Sequence, residues 1–224
     1  MIDLTLSPSA IQAVWPGGPG FSRVLFRSTK SGSVSNDSVI ELDLHVGTHI
    51  ESGFHRSATG LTIEQELLAS VMILRAQVLD ARGSKSVSAK HLNSLSTETE
   101  FVMFLTDNST NQLLSKPFVE NYVGLDQSIN AEIAKYPKLR AVGLDYISIE
   151  SFTSDGSVHR GLFQNGILAI ESLDLSSIEP GDVTAVVSAQ ILAGAEAAQC
   201  QVVILEQADL LKLSRGVDLK AGEL

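Results

Sequence analysis

Three of the five histidines in this 224-residue chain fall inside eleven residues, His45-Val46-Gly47-Thr48-His49-Ile50-Glu51-Ser52-Gly53-Phe54-His55. Chance would put about 0.25 in a window of that length. Imidazoles with a carboxylate make a mixed nitrogen and oxygen donor set, which suits Zn²⁺, Mn²⁺ or Fe²⁺. The single cysteine, Cys200, lies far downstream, so a structural thiolate zinc site is not expected. A site with few protein ligands keeps positions open for water, whose pKa a metal lowers, and that is a catalytic arrangement. No Glu follows His45, so the His-Glu-x-x-His pattern of a zinc protease is absent. The alternative is three packed or solvated histidines with no common task.

The elements that must carry this cluster mix strands and helices. Ser38 to Leu44 alternates, with Val39, Glu41 and Asp43 on one side and Ile40, Leu42 and Leu44 on the other, and predicts a strand. Gly47 and Gly53 then predict that the cluster leaves the strand as a loop. Further strands are expected at Ile2 to Leu6, Val24 to Phe26, Val71 to Ala81, Phe101 to Thr106, Ala141 to Ile149, Ile167 to Ile170, Val183 to Leu192 and Gln201 to Leu205. Helices are expected at Ile63 to Ser70, Ser88 to Leu95 and Ile129 to Lys135. Strands outnumber helices and the two interleave. The expected fold is therefore α/β, a single domain around a buried mixed sheet that curls towards a barrel and is flanked by helices. Residues 1–207 would form that domain and 208–224 a tail with room for one short helix.

Composition excludes several classes. Acidic residues outnumber basic ones 26 to 16, for a net charge of −10, and no Lys/Arg cluster offsets this, so nucleic acid is not an expected partner. An apolar content of 44% is too high for a disordered chain. No apolar run approaches 18 residues, and Met1-Ile2-Asp3-Leu4 lacks the basic start of a signal peptide, so a cytoplasmic protein without a membrane span is expected.

The cluster resembles the HxGTHxDxPxH signature of the cyclase-like metal-dependent hydrolases, the group that includes bacterial kynurenine formamidase and isatin hydrolase. Three other stretches resemble the same family in the same order. Ile2-Asp3-Leu4-Thr5 with Val14-Trp15-Pro16-Gly17-Gly18 resembles its opening strand and turn. Gly143-Leu144-Asp145-Tyr146-Ile147-Ser148-Ile149-Glu150 resembles its G-(I/L/T)-D-x-x-S-(I/V)-D block. His159-Arg160-Gly161-Leu162-Phe163 and Gly166 to Leu173 resemble its H-x-x-L-L and G-I-x-I-x-E-x-L stretches.

The resemblance implies a swivelling β/β/α-type domain assembled as a homodimer or higher homo-oligomer, acting on a small-molecule substrate. It implies metal ligation by His45, His49, Glu51, His159 and Glu171, with one or two divalent ions, Zn or Mn, per chain. It makes His55 the general acid and base, places Trp15 at the substrate pocket, and puts Asp145 and Ser148 in supporting hydrogen bonds behind the metal. The implied reaction is hydrolysis of a C–N bond in an arylformamide, cyclic imide or related amide. A cyclase or dehydratase using the same Lewis acid is the second possibility, and a non-catalytic homologue with an altered site the third.

Two positions depart from the signature. Glu51 stands for Asp, which adds about 1.5 Å of reach, and Gly53 stands for Pro, which removes a φ restraint beside it. Either the looser turn retracts the longer side chain, or the metal preference or reaction has changed. Residue type alone would leave His159 exposed in a polar loop, His91 solvated, and Cys200 a small buried core residue.

Overall fold

The period-two alternation of a strand decides what enters the centre of this molecule. Along Phe101–Leu105, Phe101, Met103 and Leu105 join one apolar core with Ile50, Leu74, Ile170 and Val187, while Val102 and Phe104 join a second core with Leu92, Ile129, Ile133 and Leu162. The first core fills a barrel, and the second lies between the barrel wall and the helices.

The computed structural model describes residues 1–67, 69–206, 209 and 211. Among them are the strands β1 (Ile2–Asp3), β2 (Phe21–Arg27), β3 (Asp37–Leu42), β4 (His49–Glu51), β5 (Val71–Asp80), β6 (Phe101–Leu105), β7 (Ala141–Leu144), β8 (Leu168–Glu171), β9 (Gly181–Ala189) and β10 (Ala197–Leu205). The α-helices are α1 (Ile63–Glu66), α2 (Asp107–Thr110), α3 (Ser128–Ile133) and α4 (Ser157–Gln164).

Seven strands close on themselves in the order β10-β4-β8-β7-β6-β5-β9, with β9 returning to β10. The pairs from β5 to β8 are parallel, and those involving β4, β9 and β10 are antiparallel. The expected sheet curls; the observed one goes further and shuts. The nine-residue β10 does this, pairing with β9 along Cys200–Leu205 and with β4 through Ala197, Ala198 and Gln199. A closed barrel leaves no edge between its first and last strands.

β2 and β3 form a separate antiparallel ribbon that leaves Val24, Phe26, Val39 and Ile40 exposed. Asp43 N–H donates to the Gly20 carbonyl at 2.9 Å and ties its base together beside the signature.

The helix expected over Ile63 to Ser70 stops at Glu66 and the strand expected over Ala141 to Ile149 stops at Leu144, and expectations also change around His91 and His159. Ser88 to Leu95 is a 3-10 turn, Ala89–Ser94, in which the Ser88 amide donates to His91 Nδ1 at 2.9 Å, so His91 is a half-buried cap instead of a solvated side chain. The polar run ahead of His159 starts a helix, because Gly156 takes φ +81° as the N-cap of α4. The helix expected within 208–224 lies outside the described residues, apart from Asp209 and Leu211. Among the described residues no helix is long and apolar enough to cross a membrane.

Candidate metal centre

Ile50 points into the barrel, so alternation turns its neighbours His49 and Glu51 to the outer face. This corrects the expected loop, since the middle of the signature is a barrel strand. Register then matters: His49 stands opposite Glu171 of β8, with Nε2 3.4 Å from Glu171 Oε2. Thr48 locks that register. Its hydroxyl donates to the Ser172 carbonyl at 2.6 Å and accepts from the Leu6 amide at 2.8 Å.

Gly47 holds φ +81°, and a Cβ there would sit 2.8 Å from the Leu6 carbonyl. Only glycine fits that conformation and that approach. The resulting turn aims the Gly47 carbonyl at His49 Nδ1, 2.9 Å away. A carbonyl accepts only, so Nδ1 carries a proton and Nε2 faces Glu51 and Glu171.

Glu51 is at the middle of the histidines. Its Oε1 lies 2.7 Å from His45 Nδ1, 3.4 Å from His49 Nε2 and 3.7 Å from His55 Nε2. Its Oε2 lies 3.2 Å from His159 Nε2 but forms no hydrogen bond of proper geometry. The longer side chain thus reaches the cluster.

Gly53 opens the turn Gly53–His55, and its amide donates to Glu66 Oε1 at 3.3 Å, a bond that proline could not make. Gly60 packs directly on the Gly53 carbonyl, where a Cβ would overlap it.

His159 comes from α4 and is only 1% exposed, unlike the surface residue expected from its polar neighbours. Its Nε2 lies 3.2 Å from Glu171 Oε1, and its Nδ1 bonds Glu150. Glu150 also accepts from the Val158 amide at 3.1 Å and from the Ser154 hydroxyl. Glu171 Oε1 accepts from the Ile149 amide at 2.6 Å.

The charges follow these contacts. Burial works against ionisation of His49, but Glu171 and Glu51 override it and raise its pKa to about 10. Burial likewise opposes the charged forms of His159 and His45, which their carboxylate partners hold above the ordinary value. Glu51 is held well below the usual carboxylate range despite burial, by the electrostatic pull of the imidazoles around it, His55 first and then His159, His45 and His49. Glu150 falls to about 2 in spite of its burial because of His159. His55 goes the other way: burial, against the pull of Glu51, pushes it down to about 4.

Two overlapping donor triads have ligand atoms within 4.8 Å of one another, His45 with Glu51 and His55, and His49 with Glu51 and Glu171. Glu51 belongs to both. Two adjacent buried carboxylates repel, and one oxygen has no hydrogen bond, so the donor set fits a divalent cation between them.

A cavity of about 190 Å³ opens onto the cluster, bordered by Trp15, Ile147 and Ser148 as well as His45 and His55. Trp15 is braced by Phe118 and Phe152 at ring-centroid distances of 5.7 and 5.3 Å. Asp145 is buried elsewhere, accepting from Thr106, Asn108 and Ser109, and none of these partners is a candidate ligand. Ser148 borders the cavity and Asp145 does not.

Three residues escaped the sequence reading. Glu150 had a usable signal, since it follows Ile149 at the end of the mostly apolar Ala141–Ile149 stretch, much as Glu171 follows Ile167–Ile170. Glu196, 3.3 Å from His45 Nε2, and Arg56, on the cavity wall, had none.

A family model described as "Putative cyclase" matches residues 2–151. The kynurenine formamidase of Bacillus cereus is 26% identical over 208 residues, 91% of this chain and 96% of its own length. A solved structure described as a potential metal-dependent hydrolase with cyclase activity is 24% identical, with a TM-score of 0.76 over 91% of this chain and 96% of that one. Isatin hydrolase A from Labrenzia aggregata shares the fold at a TM-score of 0.69 and 16% identity, covering 91% of this chain and 92% of its own.

Proposed function

This chain belongs to the cyclase family, and from that premise we propose that it is a metal-dependent hydrolase of a C–N bond in an arylformamide, cyclic imide or related amide. The observation that carries the reading is the Glu51 carboxylate among four imidazoles with one oxygen unbonded, within 4.8 Å of a Glu171 oxygen. His45, His49, Glu51, His159 and Glu171 would hold the ion, Zn or Mn, one or two per chain. When bound, such an ion supplies Lewis acidity and makes a water more acidic.

His55 is the group left for proton transfer. It ends the Gly53–His55 turn, borders the cavity, and is kept neutral by burial, so it is free to accept a proton. In the proposed reaction His55 takes a proton from the attacking water and returns it to the departing amine nitrogen. Trp15 offers an apolar face to a ring in the substrate. The products are a carboxylate and the freed nitrogen group, an amine from a formamide and an amide from a cyclic imide.

The test is metal analysis of protein purified without chelator, followed by assays on N-formyl anilines and cyclic imides. The expected result is at least one equivalent of metal per chain and a new carboxylate in the product. Absence of a new carboxylate from every amide tested, with ring-closed products from other substrates, would overturn hydrolysis. Less than about half an equivalent of metal after reconstitution would overturn the metal.

A further inference from the structure

A histidine has two ring nitrogens, and the hydrogen bond at one decides what the other can do. His49 turns Nε2 to the cluster, because the Gly47 carbonyl takes Nδ1. His45 is turned the other way. Its Nδ1 lies 2.7 Å from Glu51 Oε1, and its Nε2 lies 3.3 Å from Glu196 Oε1.

Ring packing does not set that direction. His45 lies against His49 and His55 at centroid distances of 5.1 and 4.4 Å. A half-turn about the Cβ–Cγ bond would keep both contacts and put carbons where the nitrogens are. Hydrogen bonding must therefore choose. Glu51 is itself a proposed ligand, so its oxygens are not free to accept a proton from the ring. Glu196 is then the acceptor left for His45 among the described residues.

The fold holds Glu196 in place. Antiparallel pairing sets Ala197 of β10 opposite Glu51 of β4, which brings the preceding residue beside the buried Ser52. The Ser52 amide and hydroxyl both donate to the Glu196 carbonyl, at 2.9 and 3.0 Å. The Ile63 amide donates to the Ala195 carbonyl at 2.8 Å, and Glu64 accepts from the Gly194 amide at 2.9 Å. Gln199 donates its side-chain amide to the Leu44 carbonyl at 2.9 Å. The start of β10 thus grips both the ring of His45 and the backbone beside it.

A carboxylate on the far nitrogen of a ligating histidine fixes the ring's direction and raises its basicity. The Glu196 side chain is 34% exposed, so the pair adds little to folding stability, and its effect falls on the ion.

We infer that Glu196 is a positioning residue of the metal centre: it accepts the Nε2 proton of His45 and so commits Nδ1 to the ion. This rests on the proposal that His45 is a metal ligand.

The experiment titrates Zn²⁺ into metal-free wild type, Glu196→Ala and Glu196→Gln in competition with a chelator. Ring-nitrogen NMR of the zinc-loaded wild type and melting of all three chelated proteins accompany it. Glu196→Ala is expected to weaken Zn²⁺ binding by about 10- to 100-fold and to leave the chelated melting temperature unchanged. Glu196→Gln, whose amide oxygen still accepts a proton, should recover most of the loss. The NMR spectrum should show His45 protonated at Nε2 and bound at Nδ1. Wild-type affinity in Glu196→Ala, or His45 bound through Nε2, overturns the inference and leaves the metal reading intact. A chelated Glu196→Ala that melts lower, with no recovery in Glu196→Gln, makes the residue structural and overturns it as well. A wild type that takes up no Zn²⁺ overturns the metal reading, and this inference with it.

Discussion

The cluster has a deep wall and a rim, and they are built differently. His49, His159 and Glu171 are at most 2% exposed, and both rings are pinned at Nδ1, one by the Gly47 carbonyl and one by Glu150. His45 and His55 have side chains 21% and 19% exposed. His45 reaches the half-exposed Glu196, and the nearest carboxylate oxygen to His55 is 3.7 Å away. The electrostatic outcome is opposite at the extremes, with His49 raised to about 10 and His55 lowered to about 4. Pinned rings between buried carboxylates suit a group that must stay put, because their tautomer and direction are set before anything binds. A neutral, loosely held ring beside a cavity suits one that exchanges protons.

This division can be broken experimentally, and the largest effect belongs to the deep wall. Glu171→Ala leaves His49 and His159 facing an uncompensated site, and losing one partner of a buried ionic group costs about 3–5 kcal/mol. The expected result is loss of bound metal, loss of turnover and a melting temperature lower by several degrees. A variant that keeps its metal and its melting temperature would erase the distinction.

His55→Ala comes next. Turnover should fall by about 10²- to 10⁴-fold with metal content unchanged. Full activity would remove His55 from proton transfer, and lost metal would move it into the ligand set, as its place in the His45 and Glu51 triad allows.

Glu150→Gln sharpens the comparison with a smaller change. It keeps a hydrogen bond to His159 but removes the charge, and metal affinity measured by chelator competition should weaken by about 10- to 100-fold. An unchanged affinity would mean that the pinning of His159 contributes nothing.

The smallest expected effect is in pH dependence with chelator present. The His49 pKa is raised from 6.5 to about 10, so its stabilisation is fully present below 6.5 and is lost as pH rises through 10. Glu51 is lowered, so its part is present above 4.5 and lost as pH falls. The melting temperature of the chelated protein should therefore hold between about pH 4.5 and 6.5 and decline on the alkaline side. His49→Gln should flatten that decline, and an identical alkaline profile in the variant would contradict the assignment.

Several of these residues were legible in the chain itself. His45, His49, Glu51 and His55 stand out by spacing, and Gly47 by the turn it permits, because all of them belong to one continuous segment. Most strands were legible too, from alternation and apolar runs. His159 was legible only through resemblance, because its polar neighbours in sequence are not its neighbours in space. Arg56 was invisible, since an arginine in a polar stretch carries no mark of the cavity it borders.

By itself the sequence determined the local half of the site, which donors exist and that they lack thiolate, while the strand that puts His49 and Glu51 on one face appears only in the fold. The tertiary structure decided what faces them. Thr48 bonds Ser172 from 124 residues away, and that register brings Glu171 opposite His49. Barrel closure by β10 and the docking of α4 then bury the cluster and deliver His159 with Glu150 behind it. Ligand identity is a property of residues, but ligand direction, charge and burial come from backbone pairing between distant segments, which no single stretch of the chain contains.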